Sequence, residues 1–420
     1  MYADNNDYFN GDLKMKNSFD LLIVGGGMVG ATIAAALGNS DLKIAVIEQH
    51  YPDSFNSESE HDLRVSALSV ASENILTTLG VWDGIASRRV CPYRRMKVWE
   101  VDEQRASTEF NSDHIGSDHL GFIVENRIIQ LALLEKLKSF DNIELFCPVD
   151  TESIDYSPGC SMVRLADGRE IIGKVLVAAD GGMSRVRAAA GIGVHSWDYD
   201  QHALVASVIT DYPQQDITWQ QFTSTGPLAF LPLSGNRASL VWYNKPAEVK
   251  RLLQLNDEQF LEQLQRTFPA CLGVIDQLLD RGAFPLRRQH AQQYVKEGVA
   301  LAGDSAHMIN PLAGQGVNIG LLDAAVLAET LLNAHRAGED ISSYEILKQY
   351  EQQRRSHNLL MMQLMDSFYR IFSNDLLPLK LLRNIGLGAA ERLSPARNKV
   401  MRYAMGLEGK LPARAKGEKI

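Results

Sequence analysis

The sequence predicts an α/β protein: a parallel sheet assembled from three separate stretches of chain, an antiparallel sheet inserted between them, and helices at the C-terminal end. Three observations predict it. First, the apolar strand pattern Phe19 to Val24 runs straight into Gly25-Gly26-Gly27-Met28-Val29-Gly30 and a small-residue helix. Second, two further apolar strand patterns, Lys174 to Ala179 and Val299 to Ala302, each end on an acid beside a glycine, Asp180-Gly181 and Gly303-Asp304. Third, the stretch from Gln201 to Tyr243 alternates with period two and carries Gly-rich turns, the pattern of antiparallel strands covered on one face.

Composition narrows the class further. The 420-residue length predicts roughly two to three domains. With a net charge of −9 and a pI of about 5.6, no nucleic-acid partner is expected. No uninterrupted apolar run reaches the roughly 18–20 residues that span a membrane. Residues 1–17 are polar, carry Asp4, Asp7 and Asp12, and read as a flexible extension rather than a signal or transit peptide. Cys91, Cys147, Cys160 and Cys271 are widely spaced with no C-x-x-C pair. That predicts reduced thiols in a cytoplasmic protein, no disulfide framework and no metal site.

Gly25, Gly27 and Gly30 fit G-x-G-x-x-G in its required setting, after a strand and opening a helix (Ala31 to Leu37). The glycines supply a tight turn, close approach of backbone to a pyrophosphate and close helix packing, which marks a Rossmann-type dinucleotide site. The next strand, Lys43 to Ile47, ends at Glu48, where an acid accepts from a ribose hydroxyl and disfavours a 2′-phosphate. After a polar loop, Asp53 to Glu60, Arg64 leads a helix from Ser69 to Leu79. It is either a surface charge or a bidentate phosphate partner. Met96 to Val101 and Gly121 to Val124 are expected strands. Arg127 falls in the first turn of the next helix, where a cation opposes the dipole; it has an anionic partner unless it is simply exposed.

Ile143 to Phe146, Ser161 to Ala166 and Glu170 to Ile172 are short strands around an Asp167-Gly168 turn. Asp180 is then a strand-terminal acid at the sheet's carboxyl edge, the alternative being an Asp-Gly turn with Ser184 as N-cap. The inserted sheet is followed by one amphipathic helix, Val249 to Phe268. Gly303-Asp304 feeds the stretch Pro311 to Asn318, where backbone N–H groups and the positive end of a helix toward Leu332 would face a flat, partly anionic ligand. A tightly packed crossover is the alternative there. Tyr344 to Phe372 sets Met361, Met365, Phe368 and Phe372 on one helix face, a core stripe. From Pro378 to Ile420, ten Lys or Arg stand against three Glu, interleaved with Leu379, Leu381, Leu382, Ile385 and Leu387. That tail suits a membrane surface or a solvated helix.

Three distant stretches aimed at one extended cofactor ask for more ligand than NAD alone offers. Gly25 to Gly30, Ala179-Asp180-Gly181 with Ser184 and Arg187, and Gly303-Asp304 through Asn318 resemble the three flavin motifs of the class A flavoprotein aromatic hydroxylases. The resemblance covers Phe19 to about Leu407. Within that family the sequence is similar to the ubiquinone-biosynthesis hydroxylases, most of all those of the demethoxyubiquinone step. The residues that carry this are Gly80-Val81-Trp82-Asp83, Cys91-Pro92-Tyr93-Arg94-Arg95, Gly191-Ile192-Gly193-Val194-His195, Thr218 to Thr223 and Ala283-Phe284-Pro285-Leu286. Ser305 stands where the family usually has Ala, and a small polar residue fits there.

The resemblance implies an FAD-binding domain over 18–90, 121–195 and 283–340, a substrate domain over 91–120 and 196–282, and C-terminal helices over 341–420. It implies FAD held by Gly25, Gly27, Gly30, Glu48, Arg64, Arg127, Asp180 and Asp304. Pro311, Gly314, Gln315, Gly316, Val317 and Asn318 would contact the isoalloxazine. NAD(P)H or another donor would reduce the flavin, O₂ would add at C4a, and the quinol ring would take the distal oxygen of the hydroperoxide. No acid–base side chain is required, and His307 is expected one layer behind the flavin. Phe230, Leu231, Pro232 and Leu233 would line the substrate pocket. The implied substrate is a polyprenyl benzoquinol, so peripheral contact with the inner face of the membrane and partners from a ubiquinone-biosynthesis assembly are expected. A sibling hydroxylase acting at another ring position or on a soluble phenol shares these motifs, as does a flavin-binding component without turnover.

Overall fold

The computed structural model describes residues 17–100, 107–269, 273–309, 316–372, 402, 405–406 and 408–420, without the side chains of 368–372. Residues 1–16 of the expected extension, Cys271, the Phe368 and Phe372 side chains and the Leu-rich stretch before residue 402 lie outside the described residues.

Ser18–Val24 is the central strand of the first sheet. It pairs in parallel with Ile44–Ile47 on one side and with Glu170–Ala178 on the other. Ile143–Phe146 extends the first side and Val299–Leu301 the second, both in parallel. Strand order therefore reverses at the centre, and a crevice opens outside the carboxyl ends around Val24, where such sheets bind ligands. These strands are continuous apolar runs because they are covered on both faces; Leu21, Leu22, Ile23 and Val175 to Ala178 are fully buried. Helix Met28–Ala36 packs between helices Asn126–Leu137 and Gly316–Arg336. The last of these has the length and mean hydropathy (1.3) of a membrane span, yet 83% of that apolar window is buried in the protein. Its apolarity serves the core.

The second sheet is antiparallel except where Ile217–Thr223 runs parallel to Arg95–Trp99. Its long members, Val194–Thr210 and Ile275–Ala291, pair along nearly their whole length. Both run past the expected domain boundaries at 195/196 and 282/283, so the two domains share continuous strands. One face is covered by two helices, Pro246–Leu253 and Asp257–Thr267. The single helix expected over Val249 to Phe268 is thus broken. The cause is local: the Asn256 side chain accepts from the Gln259 N–H at 2.9 Å and starts a new helix. Under these helices lie Trp99, Leu204, Ala206, Val208, Trp219, Phe230, Leu240 and Trp242. A small third sheet, Val65–Ser69, Gly121–Glu125 and Cys91–Tyr93, joins the first domain to the open face of the second.

Candidate functional site

Four strand ends meet at the crevice. Val24 is level with Ile47 on one side and Ala178 on the other, and Ala178 is level with Leu301. Gly25 to Gly30, Glu48, Asp180 and Gly303-Asp304 therefore share one edge, although they are far apart in the chain.

The glycines divide by role. Gly25 has φ +102°, and a Cβ there would lie 2.3 Å from the Ala179 carbonyl oxygen. A Cβ on Gly30 would lie 1.9 Å from the Gly25 carbonyl oxygen. These two positions are closed by the fold itself. Gly27 has ordinary backbone angles, and a Cβ there would meet nothing within 4 Å. It caps helix Met28–Ala36 with no side-chain bond, so the first-turn N–H groups have no side-chain acceptor from the cap. Glu48 braces this loop: Oε2 accepts from the Gly26 N–H at 2.7 Å and Oε1 from the His50 N–H at 3.0 Å. Gln130, which the sequence did not single out, donates to the Gly26 carbonyl at 3.2 Å.

Asp180 uses one oxygen internally. Its Oδ2 accepts from the N–H groups of Arg185 (2.7 Å) and Val186 (3.2 Å), while Oδ1 is buried with no partner. Ser184 caps the short helix that follows, as the alternative reading of this turn expects. Arg187 ties the turn to the third motif, donating to the carbonyls of Ser305 and Gly182, each at 2.8 Å. Ser305 shares its hydroxyl between the carbonyls of Ala178 (2.7 Å) and Ala302 (2.8 Å), a strand-to-strand stitch that an alanine would lack. Asp304 is surrounded by protein yet exposed to the crevice. Burial raises its carboxyl above the usual range, with His307 and Arg64 acting the other way. Arg64 is exposed, with its guanidinium 5.5 Å from the Phe284 ring.

Behind the third motif lies a fully buried ion network. Asp323 accepts from Nε2 of His307, Nε of Arg354 at 2.7 Å, Nδ2 of Asn358 at 3.0 Å and the Gly303 N–H at 3.2 Å. Burial alone would raise this carboxyl, but His307 and Arg354 hold it well below the usual range. His307 is thus buried, and its partner is an acid inside an apolar helix. That misplaced charge was the signal available in the sequence.

Other expected residues are placed differently. Arg127 has its anionic partner within the protein: Nε and a terminal nitrogen donate to Asp62 at 2.8 and 3.1 Å, and it also reaches the Asp53 and Ser54 carbonyls. The Asn318 side chain accepts from the Ser69 N–H and Ser72 hydroxyl and donates to the Ala67 carbonyl. It clamps the start of Gly316–Arg336 to the third sheet. Gly316 and Val317 open that helix, and a Cβ on Gly316 would meet nothing within 4 Å. Pro311, Gly314 and Gln315 lie outside the described residues. The pocket assignment of Phe230 is corrected: it is 1% exposed and stacked on Trp219 at 5.6 Å, under the helices. Side chains alternate along a strand, so four consecutive residues cannot line one face. Pro232 shares the parity of Phe230. Leu231 and Leu233 take the other face, against Ala67 and Ile123 of the first domain.

An open Gly27, an unpartnered Asp180 oxygen and an accessible Asp304 at one helix N-terminus fit a large cofactor with an anionic middle and hydroxylated arms. A model of the FAD binding domain family matches residues 18–365. The 3-demethoxyubiquinol 3-hydroxylase of Escherichia coli K12 is 43% identical over 388 residues, 92% of this chain and 98% of that protein. The ubiquinone hydroxylase UbiL of Rhodospirillum rubrum is 37% identical over 92% of this chain and 89% of its own. Among solved structures, p-nitrophenol 4-monooxygenase PnpA of Pseudomonas putida DLL-E4 shares the fold, with a TM-score of 0.77 at 19% identity over 94% of this chain and 99% of that one.

Proposed function

We propose, from the fact that this chain belongs to the FAD binding domain family, that it is an FAD-dependent monooxygenase hydroxylating the benzoquinol ring of a polyprenylated ubiquinone precursor at the demethoxyubiquinol step. A relative named for that step and another named as a ubiquinone hydroxylase match almost from end to end. One observation carries the reading: Gly27, Asp180 with one buried, unpartnered oxygen, and exposed Asp304 follow four strand ends at one edge of the first sheet.

Bound FAD supplies the redox chemistry, taking electrons from NAD(P)H or another donor and activating O₂. The protein's own residues bind, orient and exclude water. Gly25 to Gly30 and the N-terminus of Met28–Ala36 would hold the pyrophosphate, and Glu48 a ribose. Asp180 and Asp304 would accept from hydroxyls of the ribityl side, with Arg64 toward the phosphates. Arg127 would reach the cofactor by exchanging Asp62 for it. The start of Gly316–Arg336 would offer backbone N–H groups to charge that develops during the reaction. No side chain need act as general acid or base. The basic tail would bring the enzyme to the inner face of the membrane, or to partner proteins that present the lipid; truncation after Leu377 should then abolish vesicle co-sedimentation or partner pull-down. The deciding experiment expresses the chain in a host blocked at the demethoxyubiquinol step and identifies the extracted quinones by mass spectrometry. Return of ubiquinone supports the reading. Persistence of the precursor, with reducible FAD in the purified protein, moves the assignment to another ring position.

A further inference from the structure

The sheet face turned toward the first domain holds two hydroxyls that the fold leaves without partners. Ser207 and Ser239 are 1% and 2% exposed and lie directly opposite each other on neighbouring strands. Neither Oγ has a hydrogen-bond partner. Among the described residues, Ser112 is the other buried serine or threonine in that condition. Thr218, in the same row of the sheet, shows the usual arrangement: its hydroxyl donates to the Phe230 carbonyl at 2.8 Å. A buried hydroxyl with no partner keeps its full desolvation penalty, which a ligand oxygen or nitrogen would relieve.

Register fixes where these hydroxyls point. Ala206, Val208, Leu240 and Phe230 enter the helix-covered core, so Ser207, Ser239 and Leu231 take the opposite face. On that face Leu231 and Val241 are only half-buried. The next row, Gly282, Val205, Val241 and Ala229, is apolar, and Gly282 meets Leu63 of the first domain. The row beyond it holds Phe284, which lies against Arg64, and Arg64 acts on Asp304. Same-face rows are spaced by about 7 Å. An apolar strip one row wide thus separates the cofactor end of this face from the serine pair.

We propose that Ser207 and Ser239 form the polar end of the quinol pocket, hydrogen-bonding an oxygen substituent of the substrate ring while the ring lies on the Val205–Val241 strip. This rests on the hydroxylase reading above. As positioning residues they would set which ring carbon meets the reactive end of the cofactor, and so contribute to ring-position specificity.

The test compares Ser207→Ala, Ser239→Ala and the double variant in the full chain with FAD. Each substitution removes only an unpartnered hydroxyl, so melting temperature and FAD content should equal or exceed wild type. With a short-chain demethoxyubiquinol as probe, KM should rise about fivefold for each single variant and more than about tenfold for the double. A series of quinols each lacking one ring oxygen completes the cycle. One analogue should bind wild type and double variant equally, and that oxygen is the one held. A wild-type KM for the double variant, or an equal penalty on every analogue, would overturn the proposal. A wild type that holds FAD but hydroxylates none of these quinols overturns the underlying reading, and the proposal with it.

Discussion

Asp323→Asn is the sharpest probe of how the third motif is held. The carboxylate is fully buried and takes four donors at once. Asparagine keeps the shape, removes the charge and turns one acceptor oxygen into a donor. Each oxygen accepts two of the four bonds, so two existing donors are then left facing a donor, and the Arg354 guanidinium, 3% exposed, loses its counter-ion. Breaking a buried pair from one side costs about 3–5 kcal/mol. With an unfolding entropy of about 2.1 cal/mol/K per residue over this chain, about 4 kcal/mol lowers Tm by roughly 4–5 °C. The exposed pair Arg95–Asp216, with side chains 41% and 46% exposed, is the control. Its Asp216→Asn variant should shift Tm by no more than about 1 °C, since such pairs are worth about 0–1 kcal/mol. Gly303 is one of the four donors, so Asp323→Asn should also weaken FAD retention, read by fluorescence titration. If it melts with Asp216→Asn and holds FAD like wild type, the network does not position the motif.

Two further outcomes are expected. Gly27→Ala puts its methyl group in open space, so the cofactor-free protein should melt like wild type while FAD affinity falls; Gly30→Ala meets the Gly25 carbonyl at 1.9 Å and should lose both. Unchanged FAD affinity in Gly27→Ala would count against the crevice. His61 and His290 have pKa values pushed down to about 4, first by burial, then by Arg89 and His307 respectively. The unfolded chain binds these protons more readily, so stability is complete above pH ~6.5 and lost as pH falls toward ~4. Urea midpoints from pH 7 to pH 4 should show this loss, and it should shrink in His61→Gln; an identical pH slope in that variant refutes the assignment.

The crevice was legible because its parts are local signals: a glycine or an acid at the end of an apolar strand announces itself without knowledge of the neighbours. What the sequence did not show depends on who meets whom. Arg127 reads as awaiting an anion, but its partner is Asp62 in a loop far upstream. Asn318 sits in a ligand-binding motif, yet its side chain clamps Ala67, Ser69 and Ser72. Phe230 lies in the helix-covered core, and period two already divides it from Leu231. The helix break at Asn256 follows from capping chemistry alone.

The layout of the first sheet also governs when the crevice can exist. The Gly25–Gly30 loop emerges early in synthesis, but the strands that flank its acids, Glu170–Ala178 and Val299–Leu301, arrive more than a hundred residues apart. Between them the ribosome must deliver the long strands of the inserted sheet, the 17-residue Val194–Thr210 and Ile275–Ala291, which pair across a long loop of chain. Such high contact order makes the last strand's docking a late event. FAD can recognise only the chain that has passed it, so free cofactor draws folding forward by mass action on the finished sheet. In a flavin-starved cell, nascent chains would linger with their apolar strand edges unpaired, open to aggregation and proteolysis.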